Sequence, residues 1–187
     1  MASGSNNTAG QPDNTTKYWN PFFFAGKEIS LSHLEPHEFL CNTPDGNARK
    51  IRAIYSPHVF TRSATDADPA SHVCFDNRVY CPNRYQDALH LPGIIQNLPN
   101  TKVFQTWEER NYVYLTVDAP FRNDRYHVFF ELKKSGGKRN KHVLLRIESA
   151  YRASASGYLP PENPNSIRFS VLIQSTYMGR AVRFARR

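Results

Sequence analysis

No apolar run in this sequence approaches the ~20 residues needed to cross a bilayer, so no membrane-spanning helix is expected. The opening stretch "MASGSNNTAG QPDNTT" has neither a basic n-region nor an apolar h-region, and it does not read as a secretory signal. Its small polar residues make 1–16 an expected disordered tail. A single α+β domain is expected over 17–187, with 176–187 as a basic C-terminal arm. A cytoplasmic location without a membrane partner follows as an expectation. No glycine-rich strand-to-helix loop is present, since Gly136-Gly137 falls at a hairpin tip, and this argues against a nucleotide cradle. Cysteine is scarce. Cys41, Cys74 and Cys81, with His58 and His72, show spacings (His72-X-Cys74, Cys74-X6-Cys81) that match no compact zinc knuckle. They are expected to be buried thiols, with no metal and no cofactor.

Apolar and aromatic side chains are plentiful. Hydrophobic residues make up 40% and aromatics 13% of the 187 residues, enough for a real core and against wholesale disorder. The net charge of +8 is uneven. Residues 1–100 hold eight Lys/Arg against nine Asp/Glu, whereas 101–187 hold sixteen against seven, so the second half carries the excess. That asymmetry points to a polyanionic partner.

Five aromatics lie within the seven residues Tyr18 to Phe24, a density expected of an anchoring core strand. Pro44-Asp45-Gly46-Asn47 is strong turn chemistry and predicts a hairpin over 38–56. Residues 57–85 lack sustained periodicity and read as a mostly irregular connection with a short strand at 73–75. "ALHLPGIIQNL" carries a helix signal, with Pro92 in the first turn. Candidate strands follow at 102–106, 111–118, 126–133, 141–149 and 167–175. The predicted architecture is α+β: an antiparallel meandering sheet in the C-terminal half, with a short helix and the N-terminal β-hairpin packed against it.

Alternation along a strand gives each candidate two faces. Tyr126, Val128, Phe130 and Leu132 oppose His127, Phe129 and Glu131, while Val143, Leu145 and Ile147 oppose His142, Leu144, Arg146 and Glu148. For the apolar sets to meet, paired residue numbers must sum to an odd value. A sum near 273 places Val128 beside Leu145, His127 beside Arg146, Glu131 beside His142 and Arg125 beside Glu148. Tyr112 and Tyr114 alternate similarly with Val113 and Leu115. One reading of such a face is ordinary solvation with modest cross-strand ion pairs. The other gives it chemistry, because a histidine with a pKa near 6.5 suits proton transfer and phosphate contact.

The strand pair "YHVFFELKK…KHVLLRIESAYRAS", within residues 101–154, resembles the ending of RelE- and BrnT-type bacterial toxins. That resemblance implies a small basic α+β ribonuclease whose sheet surface positions RNA without a metal. The present chain is much longer and has an elaborate N-terminal half. "SPHVFTR" (56–62), "RIESAY" (146–151) and "IRFSVLIQ" (167–174) resemble uncharacterised proteins of bacterial mobile elements, which implies no established activity.

The expected function is binding of single-stranded RNA on the polar face, with metal-free cleavage as an extension. In that extension His127 or His142 serves as base or acid, Glu148 or Glu131 as its partner, and Arg146 stabilises phosphorane charge. Tyr112, Tyr114 or Tyr151 stacks on a base. Lys133, Lys134, Lys138, Arg139 and Lys141 at the hairpin tip, with Arg152 and the terminal Arg180, Arg183, Arg186 and Arg187, supply phosphate contacts. The alternative is a non-enzymatic interaction protein that binds an acidic protein partner.

Overall fold

The computed structural model describes residues 18–106, 112–117, 125–153 and 165–182. The tail 1–16 and the terminal Arg183, Arg186 and Arg187 lie outside the described residues. In chain order the elements are β1 (Phe22–Phe24), β2 (Lys27–Ile29), β3 (His37–Asn42), β4 (Ala48–Tyr55), β5 (Thr61–Ser63), β6 (Val73–Cys74), β7 (Arg78–Tyr80), α1 (Pro82–Ala88), α2 (Leu91–Asn97), β8 (Lys102–Gln105), β9 (Tyr112–Val117), β10 (Tyr126–Ser135), β11 (His142–Arg152), β12 (Ser166–Arg168) and α3 (Phe169–Met178).

The fold is α+β. Seven strands form one sheet in the order β12-β8-β9-β10-β11-β4-β3, antiparallel except where β4 runs parallel to β11. The expected 38–56 hairpin is β3–β4, closed where Thr43 and Asp45 clasp Asn47. Two smaller sheets, β1–β2 and β5-β7-β6, flank the large one.

Hydrophobic burial explains which face is the core. Ile51, Ala53, Phe130, Leu132, Val143, Leu145 and Ile147 are buried and occupy matching register positions. The same sheet strands carry α3, which lays Phe169, Leu172 and Ile173 onto them, with the Phe130 and Phe169 rings 6.1 Å apart. The expected strand over 167–175 is therefore corrected. Only Ser166–Arg168 pairs as a strand, and the rest is helix. Its apolar residues fit either a period of two or the i, i+3, i+4 spacing of a helix. Contact with the sheet selects the latter, and Gly179 ends the helix in the left-handed conformation (φ 69°). The expected helix within 88–98 is α2, which starts at Leu91 with Pro92 in its first turn. The stretch 57–85, expected to be mostly irregular with one strand at 73–75, holds β5 and β7 as well as β6, and α1 starts within it.

The β10–β11 register departs from the expectation by a measurable shift. Leu132 faces Leu145 and Glu131 faces Arg146, a sum of 277 rather than 273. From Phe130 to Ser135 the parity is odd, as expected, and the core set there stays on one face; beyond Phe129 the sum becomes 278. The displacement comes from the tip, where Gly136 (φ 79°) turns the chain and the His142 Nδ1–H donates to the Asn140 carbonyl at 2.9 Å. These contacts stretch a two-residue turn into a longer loop. A β-bulge between Phe129 and Phe130 then shifts the remaining pairs, so His127 faces Tyr151 and Glu148 has no partner opposite. A side chain at position 136 would overlap the Asn140 carbonyl and would also force a left-handed backbone. Gly136→Ala is thus expected to cost about 1–3 kcal/mol in urea unfolding, and an unchanged midpoint would remove this loop as the cause of the register.

The C-terminal helix is fastened at its far end by a ring. Tyr177 lies between the Arg49 guanidinium, 4.3 Å from the ring centroid, and the Lys141 ammonium at 3.8 Å. Two cation–π contacts of about 0.5–1 kcal/mol each hold α3 against β4 and the hairpin.

Candidate functional site

The site grows from Thr61, a buried residue at the start of β5. Its hydroxyl donates to the Pro57 carbonyl at 2.7 Å, which ties β5 to the 3-10 turn Pro57–Val59. The same hydroxyl accepts from Arg78 Nε at 2.7 Å, and the Thr61 carbonyl accepts from Arg78 Nη2 at 3.0 Å. Arg84, from α1, also donates to that carbonyl at 3.0 Å and to the His58 carbonyl at 3.1 Å. Two guanidinium groups therefore share one oxygen. Their donor nitrogens, each 3.0 Å from it, cannot be more than twice that apart.

Neither Arg78 nor Arg84 has a carboxylate partner among the described residues, whereas the neighbouring arginines do. Arg62 forks onto Asp68, Arg146 Nε meets Glu148 at 2.9 Å, and Arg152 binds Asp87 through Nε and Nη2. Two like charges this close repel by on the order of 2 kcal/mol at the effective dielectric of a protein surface. The carbonyl dipoles offset part of that and hold both groups in place.

His58 stands exposed on the 3-10 turn within the field of both arginines and of Arg146. Partial burial pulls its imidazole below the ordinary value. The charges of Arg78, Arg84 and Arg146 pull the same way, against a smaller opposing effect of Asp76. The native state thus prefers neutral His58 more than the unfolded chain does. The stability this supplies is complete above pH 6.5 and is lost as pH falls below it. Between pH 6.5 and 5, urea midpoints of the wild type are expected to fall more steeply than those of His58→Gln. Identical slopes would remove His58 from the linkage. His33, lowered by burial, leaves some slope in both proteins.

Two clefts flank this cluster. One, of about 540 Å³, has Ile54 and Arg146 from paired positions of β4 and β11, with Tyr18, Trp19, Phe22 and Phe75 among its other lining residues. The Trp19 ring meets Phe60 edge-on at 5.6 Å and Phe75 at 6.2 Å, and its Nε1 donates to the Leu34 carbonyl at 2.8 Å, so it is rigidly placed. Phe75 begins a run of three residues with positive φ, Phe75, Asp76 and Asn77. Such a conformation costs a bulky residue about 1–3 kcal/mol and is found where geometry serves a site. Here it sets the Phe75 ring against Trp19, Phe22 and Phe60. The second cleft, also about 540 Å³, is lined by Arg62, Arg84, Tyr151, Arg152 and Asp87. The Arg84 guanidinium sits 5.1 Å from the Tyr151 ring centroid.

The sequence-predicted site residues divide sharply. Glu131, Arg146 and Glu148 do come together: Glu131 faces Arg146 across the strands, Glu148 pairs with Arg146, and Lys133 reaches Glu131 at 2.9 Å. Burial raises the Glu148 carboxyl above its ordinary value, the adjacent Arg146 partly opposing this. The Phe129 and Tyr151 rings meet at a tilt, 5.2 Å apart, with His127 beside them. The two histidines are not brought together. His127 is buried at 1% exposure against those rings, while His142 is clasped at the hairpin tip. In register they lie eight residues apart along β10, about 26 Å at strand rise. The expected pairings His127 with Arg146, Glu131 with His142 and Arg125 with Glu148 are corrected with the register.

Lys133, Lys134, Lys138 and Arg139 are exposed at the tip, at the opposite end of the hairpin from Tyr151, and Lys141 is engaged with Tyr177. Arg180 is exposed just beyond α3. Tyr112 and Tyr114 occupy positions opposite Glu131 and Phe129. Arg152 serves as a tether between β11 and α1. Its partner Asp87 is buried, so Arg152→Ala strands a carboxylate and is expected to cost about 1–3 kcal/mol after allowance for the exposure of Arg152. The double-mutant cycle with Asp87→Asn measures the coupling.

Cys41 is buried, with its thiol pushed up to about 11 by desolvation, and Cys74 and Cys81 are half-buried. Among the described residues no group of three or more His, Cys, Asp or Glu is placed to hold a metal. No described helix is long and apolar enough to cross a membrane.

The sequence reading missed Arg78, Arg84 and the position of His58. All three lie in the half whose net charge is slightly negative, where counting by halves averages a local cluster away. The available signal was "SPHVFTR", with its serine and proline preceding a histidine: the Ser56 hydroxyl accepts from the His58 N–H at 3.2 Å and starts the turn.

Fold and site together define an α+β protein whose mixed sheet is flanked, beside β11, by a cationic and aromatic cluster. Residues 21–177 match the model of the YjaZ family, and the chain belongs to that family. No curated protein and no solved structure matches it.

Proposed function

We propose that this protein binds single-stranded RNA across the surface formed by the aromatic cleft, Arg146 and the Thr61-anchored arginines. The observation that carries this reading is a pair of adjacent guanidinium groups, fixed by backbone carbonyls and lacking a carboxylate, beside a cleft lined by aromatic rings. Phosphates suit the first feature and unstacked bases suit the second. Duplex recognition has less support. Among the described residues α1 and α2 have seven residues each, and α3 is spent on the core.

The reading is one of binding, because the histidines expected to pass protons stand far apart. Fluorescence anisotropy with a labelled single-stranded RNA tests it. Affinity is expected to fall steeply with salt, and Trp19→Ala is expected to weaken binding about tenfold through lost stacking. The DNA strand of the same sequence and the annealed duplex serve as comparisons. No binding at low salt would overturn the reading, and the acidic-partner alternative would then take its place.

A further inference from the structure

We infer that Arg78, Arg84 and His58 form a receptor for one phosphomonoester dianion, which on the proposed function is the terminal phosphate of the bound strand. Charge is the first ground. The arginines that surround the pair have their own carboxylates, and Asp76, which is felt at His58, pairs with neither Arg78 nor Arg84, so among the described residues these two stand as cations with no carboxylate bound to them. An internal phosphodiester brings one negative charge and leaves one guanidinium uncompensated. A terminal phosphate carries close to two at pH 7 and compensates both.

Hydrogen-bond capacity is the second ground. A guanidinium has five N–H donors. Arg78 spends two on the Thr61 hydroxyl and carbonyl, and Arg84 spends two on the Thr61 and His58 carbonyls. Three remain on each, available to the three terminal oxygens of a phosphomonoester. Preorganisation is the third. Thr61 is fully buried and fixed to the Pro57 turn, so the ligand does not have to bring the two cations together. His58 stands exposed on that same turn, with its imidazole in the field of both arginines. The arginine cleft beside Arg84, with Tyr151 on its wall, leaves room for the first nucleoside.

The experiment compares four versions of one RNA, with hydroxyl or phosphate at the 5′ end and hydroxyl or phosphate at the 3′ end, at fixed ionic strength. Inorganic phosphate is titrated separately by calorimetry. One phosphate-ended strand is expected to bind at least tenfold more tightly than its hydroxyl-ended counterpart. Arg78→Gln and Arg84→Gln are each expected to erase that preference while leaving residual hydroxyl-ended binding, and His58→Ala to reduce it. Urea midpoints identify any variant that has lost its fold, and Arg78→Lys retains charge without the fork. Equal affinity for all four strands, or a preference that survives both glutamine variants, overturns the receptor and leaves RNA binding standing. Arginine-dependent binding of inorganic phosphate with no affinity for any RNA keeps the receptor and overturns the proposed function instead.

Discussion

Phe130→Ala is expected to lower the stability of the protein by about 3–5 kcal/mol, the largest loss of any single truncation in the sheet. Phe130 is wholly buried, lies beside the point where β11 bulges at Glu148, and meets Phe169 of α3 edge-on at 6.1 Å. Its removal empties the space between the central strand and the helix that covers it. Collapse into that space is resisted on one side by the β-ladder and on the other by Tyr177, which holds the far end of α3 between Arg49 and Lys141. Urea unfolding reads the loss as a shift in midpoint at constant slope. Phe130→Leu, which fills part of the space, is expected to lose clearly less. A loss below about 1 kcal/mol for the alanine variant would show that the helix does not rest on this strand.

The core around Phe130 was legible because burial imposes a period. Tyr126, Val128, Phe130 and Leu132 alternate in the sequence and are all buried in the structure. The antiparallel pairing of this strand with β11, and the hairpin before it, follow from alternation and turn chemistry that act over a few residues. Register was less accessible. Gly136-Gly137 suggests a tight turn, but the loop is set by the His142–Asn140 clasp, a contact between a side chain and a carbonyl that carries no periodic signature. α3 was misread because Ile167, Phe169, Val171 and Ile173 alternate as well as they spiral, and only the sheet beneath decides between the two.

The candidate site was legible in one part. Arg146 and Glu148 share a face because alternate side chains of a strand do, and the odd pairing sum sets Glu131 opposite Arg146, whereas Tyr151 joins that face only through the bulge at Glu148. The arginine pair was not legible, since Arg78 and Arg84 meet only through Thr61, seventeen and twenty-three residues upstream, in a segment without periodicity. His127 shows the opposite failure. A strand histidine on the polar parity reads as chemistry, yet Phe129 and Tyr151 cover it and leave it 1% exposed. The bulge that puts Ser149 and Tyr151 opposite Phe129 and His127 is what assembles that cover.

Arg84→Glu is expected to weaken single-stranded RNA binding by about a hundredfold or more, the largest functional loss of any single substitution. The change removes a fixed cation and sets a carboxylate within reach of Arg78, where it occupies the place of a phosphate and neutralises the remaining charge. Buried or half-buried charge reversals at a binding centre act on the bound state and raise the dissociation rate, whereas rim charges act mainly on association and fade with salt. The hairpin tip supplies the comparison. Lys138 and Arg139 are exposed at the far end of β10–β11, so Lys138→Glu with Arg139→Glu is expected to slow association at low salt and to have little effect at 0.2 M, beyond a Debye length of about 8 Å or less. Stopped-flow measurements of both rates at two salt concentrations separate the cases. If the tip variant loses as much affinity as Arg84→Glu at the higher salt, the strand lies along the hairpin tip and not across the Thr61 cluster. If Arg84→Glu alone loses affinity, and loses it through dissociation, the two guanidinium groups are the anchor around which the rest of the strand is laid.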